Sequence, residues 1–338
     1  MEVCGGQTCS IVRYGLDRML PPEVELVHGP GCPVCVTALE TIDRAHAIAR
    51  SPASSSRLSA TCCACPDRPA TSPRCARAAP TSGVVYSPLD AVALARANPD
   101  RRVVFFGIGF ETTAPANAMA LIAARRGGVS NFSMLASHVL TPPVIGYVLQ
   151  ASGNRVQAFL GPGHVSAITG SRAFEGLARR YRAPIVVTGF EPLDLLEGIL
   201  MAVRQLEEGR AEVEVQYARG VTRDGNPAAR AAIEEVFEIT DRTWRGVGAI
   251  PKSGYRIAHE LRAHDAERIF DVETVQSREP SAYISGLVLR GQKRPSECPA
   301  FGRECTPRTP LGATMVSSEG ACAAYFQHGR HRELAVAP

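Results

Sequence analysis

Eleven cysteines in 338 residues, gathered into three groups, are the side chains best equipped for chemistry in this sequence. Cys4, Cys9, Cys32 and Cys35 lie among glycines near the start. Cys62, Cys63, Cys65 and Cys75 crowd a stretch without periodicity, and Cys298, Cys305 and Cys322 stand among glycine and proline near the end. The sharpest pattern is Gly29, Pro30, Gly31, Cys32, Pro33, Val34, Cys35. A Cys-x-x-Cys pair on a tight bend brings two sulfurs within reach, so it can form a disulfide, exchange thiols or bind a soft metal. A zinc half-site or two inert thiols are the plainer readings, though no second such pair is placed to complete a zinc module.

Cys4 is followed by Gly5 and Gly6, which let backbone approach a bound group and leave the sulfur uncovered. At the start of a helix its thiolate would be favoured by first-turn amides and the helix dipole. The plainer reading is a small buried hydrophobe. Cys298, Cys305 and Cys322 suggest an iron–sulfur site, which is ordinarily held by four thiolates, whereas three are present here. Three unrelated structural cysteines are the alternative. Glu111 and Glu191 each follow a strand, placed either for proton transfer and ligand positioning or simply to accept from nearby loop amides. His164 and His28 offer acid, base or ligand roles, or none beyond a polar partner.

The elements that must position these groups repeat. Val24 to Val27 runs into His28, Gly29, Pro30, Gly31, and Val156 to Leu160 runs into Gly161, Pro162, Gly163, His164. Val103 to Phe106 leads to Gly109, Phe110, Glu111, and Ile185 to Thr188 leads to Gly189, Phe190, Glu191. Strand, glycine loop and helix alternate, which predicts α/β architecture with parallel sheets and polar loops at the strands' carboxyl ends. Thr113 is expected to cap a helix from Ala114. Leu193 to Leu206 and Ala228 to Phe237 are expected to be helical. Two similar Rossmann-like units are predicted around a cleft, over residues 1–128 and 129–241. Residues 242–338 are predicted to form a small loop-rich domain needing a metal to hold it.

Composition excludes other classes. Hydrophobic residues make up 45% and charged residues 21%, and the net charge is +4 with scattered basic residues, so neither a membrane span nor a nucleic-acid surface is expected. No phosphate loop of a nucleotide enzyme follows a strand. Without a basic-then-apolar leader, the thiols point to a reducing, cytoplasmic setting. Met1 to Cys4 reads as the end of a strand, so the first unit is expected to lack its opening residues.

These segments resemble the HypD family of hydrogenase maturation proteins. The likeness rests on Met1 to Thr8 (MEVCGGQT), His28 to Cys35 (HGPGCPVC), Gly109 to Pro115 (GFETTAP), Gly161 to Ser166 (GPGHVS), Gly189 to Leu195 (GFEPLDL), Trp244 to Pro251 (WRGVGAIP), Phe301 to Pro307 (FGRECTP) and Met315 to Tyr325 (MVSSEGACAAY). The resemblance implies two α/β domains around a cleft and a third domain holding a [4Fe-4S] cluster on Cys298, Cys305 and Cys322. It implies that Cys4, with a cysteine of the partner HypC, holds the Fe(CN)2CO precursor of [NiFe] hydrogenase. Cys32 and Cys35 would be an electron-transferring thiol pair, and HypE would deliver cyanide. Read from the thiol pair alone, a stand-alone thiol–disulfide oxidoreductase is the alternative.

The chain departs from the family pattern at three places. Cys9 stands where the family has histidine, and Tyr283 stands where it has a fourth cluster cysteine, which predicts a labile cluster and impaired activity. The stretch from about Pro52 to Ser82 has no family counterpart. A coding sequence read one base earlier across Ala60 to Asp67 would give Gly-Asp-Met-Leu-Arg-Val-Pro-Gly, like the family's own loop. On that reading Cys62, Cys63, Cys65 and Cys75 are accidental, and the nucleotide sequence tests it.

Overall fold

The computed structural model describes residues 1–51, 58–60, 83–272 and 283–329. The cysteine-rich stretch with Cys62, Cys63, Cys65 and Cys75, and the frame-shift reading with it, lies outside them apart from the short strand β1 (Leu58–Ala60). Among the described residues the fold is mixed α/β, with two parallel sheets and one antiparallel pair, and none closes into a barrel.

The first sheet runs β1, β2 (Val103–Gly109), β3 (Phe132–His138), parallel throughout, with Val103 opposite Phe132 and Gly109 opposite His138. All seven residues of β2 and of β3 are buried, as strands covered on both faces require, although β3 also buries Ser133, Ser137 and His138. Helices Pro88–Ala97 and Ala114–Arg126 pack Val92, Ala118 and Leu121 against Phe105 and Phe132. Ser87 and Asp90 close a capping box on the first of these helices. Thr113 does not cap the second as expected. It precedes the helix in αR conformation, and its hydroxyl donates back to the Phe110 carbonyl at 3.3 Å.

The second sheet runs β4 (Phe159–Pro162), β5 (Ile185–Thr188), β6 (Val213–Val215), also parallel. Helices Thr141–Gln150, Arg172–Tyr181 and Pro192–Glu207 accompany it. The chain's first residues join this sheet: Glu2 bridges in parallel to both His28 and Leu160, and Met1 and Val3 pack with Phe159, Phe174 and Ile185. Val24 to Val27 contributes only that single bridge at His28 rather than a full strand.

Helix Pro227–Val236 then returns to the first sheet, where Ile233 and Val236 share a core with Phe105 and Leu121. It is followed by an antiparallel hairpin, β7 (Phe237–Trp244) and β8 (Gly248–Ile257). Strand thus occupies residues 242–244 and 248–257, inside the stretch expected to be loop-rich. Beyond residue 283 the described chain is built of short helical turns. Among the described residues no helix is long and apolar enough to cross a membrane.

Candidate functional site

Cys4 occupies the position before helix Gly5–Tyr14, with extended backbone at φ −145°. Gln7, fully buried one turn on, pins that helix to the carboxyl ends of the second sheet. Its Nε2 donates to the Gly161 carbonyl at 3.0 Å and to Thr188 Oγ1 at 2.7 Å. Cys4 is thereby held where the crossover geometry of a parallel sheet gathers ligands. Phe190, in the loop after β5, packs on Gly6, and His164 stacks on Phe190 with ring centroids 3.8 Å apart. His164 is thus one ring removed from the Cys4 loop, on the surface, its pKa lowered by partial burial.

The Gly29-Pro30-Gly31 bend presses on the same loop from the other side. The Gly5 amide donates to the Gly31 carbonyl at 2.9 Å. A β-carbon at Gly31 would run into the backbone of Val3 and Cys4, so this close approach requires glycine. The bend thereby sets Gly31, the residue before Cys32, against the backbone of Cys4. Cys32 and Cys35 are disulfide-bonded across a Cα–Cα distance of 5.3 Å, and the Cys35 amide donates to Cys32 Sγ at 3.2 Å. Both are buried, at 3% and 0% exposure. A stand-alone oxidoreductase needs a sulfur open to attack by a partner, so the alternative reading is not favoured.

Electrostatics at Cys4 differ from the expected activated thiolate. The amides of Gly6 and Gln7 do favour the anion, but burial outweighs them, and the carboxylates of Glu2 and Glu319 add to it, pushing the thiol up to about 12. At neutral pH Cys4 therefore rests as a protonated thiol.

The three late cysteines come together. Cys298, Cys305 and Cys322 wall one cavity of about 10 Å³ with Tyr283, Phe301, Thr314 and Met315. The Thr314 hydroxyl donates to Cys322 Sγ at 2.9 Å and the Leu311 amide to Cys305 Sγ at 3.4 Å. Burial pushes the Cys322 thiol up to about 12. Among the described residues no group of three His, Cys, Asp or Glu is arranged to hold one metal ion. The three thiols face one common cavity. Its walls must part to admit anything larger than a water.

The two glutamates diverge. Glu111 is 1% exposed, accepting from the Thr141 amide at 2.8 Å and the Thr141 hydroxyl at 3.1 Å, and burial raises its pKa to about 7. Glu191 is exposed and makes no side-chain cap bond. The carboxylate that closes its loop is Asp194, which accepts from Arg219 at 2.9 and 2.6 Å and from Gln216 at 2.9 Å. These bonds, Arg219's first, lower its pKa to about 2. Asp194 was legible as an acid three residues after the N-cap Glu191; Gln7 carried no such signal.

A further cavity of about 450 Å³, lined by Val24, Leu26, Phe159, Ile199 and Leu206 among others, contains none of these groups, so size alone does not mark the site. What the thiols define is a class: an α/β protein with a buried disulfide and a lone cysteine at one sheet end, and a three-thiol cavity in its C-terminal part. The chain belongs to the HypD family, which it matches from residue 1 to 329 under the description hydrogenase formation hypA family. It is 46% identical over 341 residues to the hydrogenase maturation factor HypD of Rhizobium leguminosarum bv. viciae, covering 98% of this chain and 89% of that one. It is 46% identical over 344 residues to the factor of the same name from Azotobacter vinelandii, covering 100% and 91%. Against the Escherichia coli (strain K12) factor the identity is 42% over 329 residues, covering 97% and 88%.

Proposed function

We propose that this chain is a cytoplasmic scaffold for hydrogenase maturation, on which the Fe(CN)2CO unit of [NiFe] hydrogenase is assembled together with HypC. Cys4 and a cysteine of HypC would hold the iron, which is the cargo. Low-spin iron bearing strong-field ligands suits soft thiolate anchors. HypE would deliver cyanide to the complex. Cys32 and Cys35 would serve as a thiol pair for electron transfer, the disulfide taking up two electrons and two protons on reduction and releasing the same number when it re-forms. Phe190 borders the Cys4 loop, and His164, stacked on Phe190 and exposed, could exchange a proton with bulk water.

Cys298, Cys305 and Cys322 would hold a [4Fe-4S] cluster, with Tyr283 at the fourth corner, and the group would supply an electron store beside the disulfide. A phenol is a weaker partner for iron than a thiolate, so the cluster would be labile at that corner. Glu111 and Glu191 lie in equivalent loops, and the exposed Glu191 is the better placed to meet a partner or ligand.

The observation that carries this reading is the meeting of the Cys4 loop with the Gly-Pro-Gly bend of Cys32, both fixed at the carboxyl end of the second sheet. Infrared spectroscopy of the chain purified with HypC tests it, because bound cyanide and carbon monoxide absorb where protein does not. Both signals are expected in the complex and absent from Cys4→Ser. A wild-type complex without them, or a Cys4→Ser complex that keeps them, would overturn the assignment.

A further inference from the structure

The segment from Glu319 to Tyr325 touches all three sulfur groups. A β-carbon at Gly5 would meet Glu319 Cβ at 2.6 Å, and one at Gly320 would meet Cys35 Sγ at 3.0 Å. Cys322 walls the three-thiol cavity. Tyr325, three residues on, reaches back 297 positions, its hydroxyl 3.1 Å from His28 Nε2 and its ring edge-on to the imidazole. His28 Nδ1 stands 2.7 Å from Glu2 Oε1, which also accepts from the Thr8 hydroxyl at 2.5 Å. Glu2 Oε2 accepts the Cys4 amide at 2.8 Å. The line therefore runs from the C-terminal segment, through two buried side chains, to the backbone of Cys4.

We propose that Tyr325, His28 and Glu2 form a buried strut by which the C-terminal segment positions Cys4, and that they are positioning residues for its reactivity. Glu2 is 1% and His28 5% exposed. A carboxylate withdrawn that far from water needs donors on both oxygens, and it has three. With His28 donating from Nδ1, its Nε2 is left to accept the Tyr325 hydroxyl, so every polar atom in the line is used in one direction. An apolar set of the same shape would pack the same space without desolvating a carboxylate, and such buried polar lines serve to fix one geometry. What this one fixes is the amide of Cys4, and with it the direction of the bond to sulfur. The proposal rests on Cys4 being the reacting thiol, as read above.

The test is alkylation of Cys4 by iodoacetamide in the full chain, followed peptide by peptide in the mass spectrometer, with Cys9 as internal control. It needs neither iron nor HypC, so its failure is separate from failure of the infrared experiment. Tyr325→Phe should speed Cys4 alkylation by about fivefold and leave Cys9 within about twofold, because the loop loosens where the strut ends. Adding Tyr325→Phe to Glu2→Gln should change nothing further. A Cys4 rate unmoved by Tyr325→Phe, or effects that add in the double variant, would overturn the strut. Should Tyr325→Phe not fold, hydrogen exchange of the Cys4 amide in the wild-type chain, read by magnetic resonance on isotope-labelled cysteine, decides. Exchange about a hundredfold slower than in an open loop supports the strut, and open-loop exchange refutes it.

Discussion

The same three residues, Gly-Phe-Glu, end β2 and β5, and the fold uses them in opposite ways. In the first loop Phe110 is buried against Trp244 with ring centroids 5.9 Å apart, and Glu111 is sealed beneath the start of helix Thr141–Gln150. In the second loop Phe190 lies partly exposed between His164 and Gly6, and Glu191 faces water. The difference follows from what lies over each sheet end. The hairpin β7–β8 and Val36 close over the first, and the Cys4 helix meets the second while leaving its rim open. One loop has become part of the core, and its twin is left available for chemistry.

Truncating the two phenylalanines should break the symmetry most. Phe110→Ala is expected to lower the unfolding free energy by about 3 kcal/mol, since it opens a cavity among Trp244, Val139 and Ile250. Phe190→Ala should lose about 1 kcal/mol, because much of that ring already touches solvent. Denaturant titration of both compares them directly, and equal losses would mean the two loops are equivalent after all.

Glu111 gives the next effect, through pH. Its folded-state pKa of about 7 lies above the 4.5 of an open glutamate, so the fold prefers its protonated form. The stability this contributes is complete below about pH 4.5 and disappears as pH rises through 7, a swing of about 3 kcal/mol at most. Glu111→Gln should abolish that part of the pH dependence, read as melting temperature across pH 4 to 8 on the usual titration scale of a glutamate, roughly one unit either side of each pKa. His138 works in the opposite sense. Burial and then Arg242 lower its pKa to about 3, so its contribution is present above about 6.5 and is lost as pH falls toward 3. A Glu111→Gln variant with the wild-type slope between 4.5 and 7 would place the buried proton elsewhere.

Much of this was legible in the chain. Three of the four strands ending in glycine loops, the helices near Leu193 to Leu206 and Ala228 to Phe237, and the nearness of Cys32 and Cys35 are local patterns, and they form as spacing and capping rules require. What escaped depends on contacts between distant positions. Gln7 meets Gly161 and Thr188 across 154 and 181 residues, and Tyr325 meets His28 across 297. No local period records such meetings. The acidity of Cys4 was misjudged for a related reason: a helix start is visible in sequence, but the burial that outweighs its amides is a property of the assembled loop. Thr113 likewise had the right type for a cap and instead donated to Phe110.

The smallest effect is expected at the exposed rim and is the most telling about function. Glu191 makes no cap bond, and Asp194 with Arg219 already closes its loop, so Glu191→Ala should change stability by no more than about 0.5 kcal/mol. Asp194→Ala, by contrast, removes the carboxylate that Arg219 donates to and one of the two acceptors of Gln216, and should disturb the loop measurably. If Glu191→Ala, with unchanged melting temperature, still weakens retention of HypC or the infrared signals of bound ligands, the carboxylate acts on the cargo or the partner. If it changes neither, the open loop supplies only Phe190 to the site, and its glutamate is a solvated side chain.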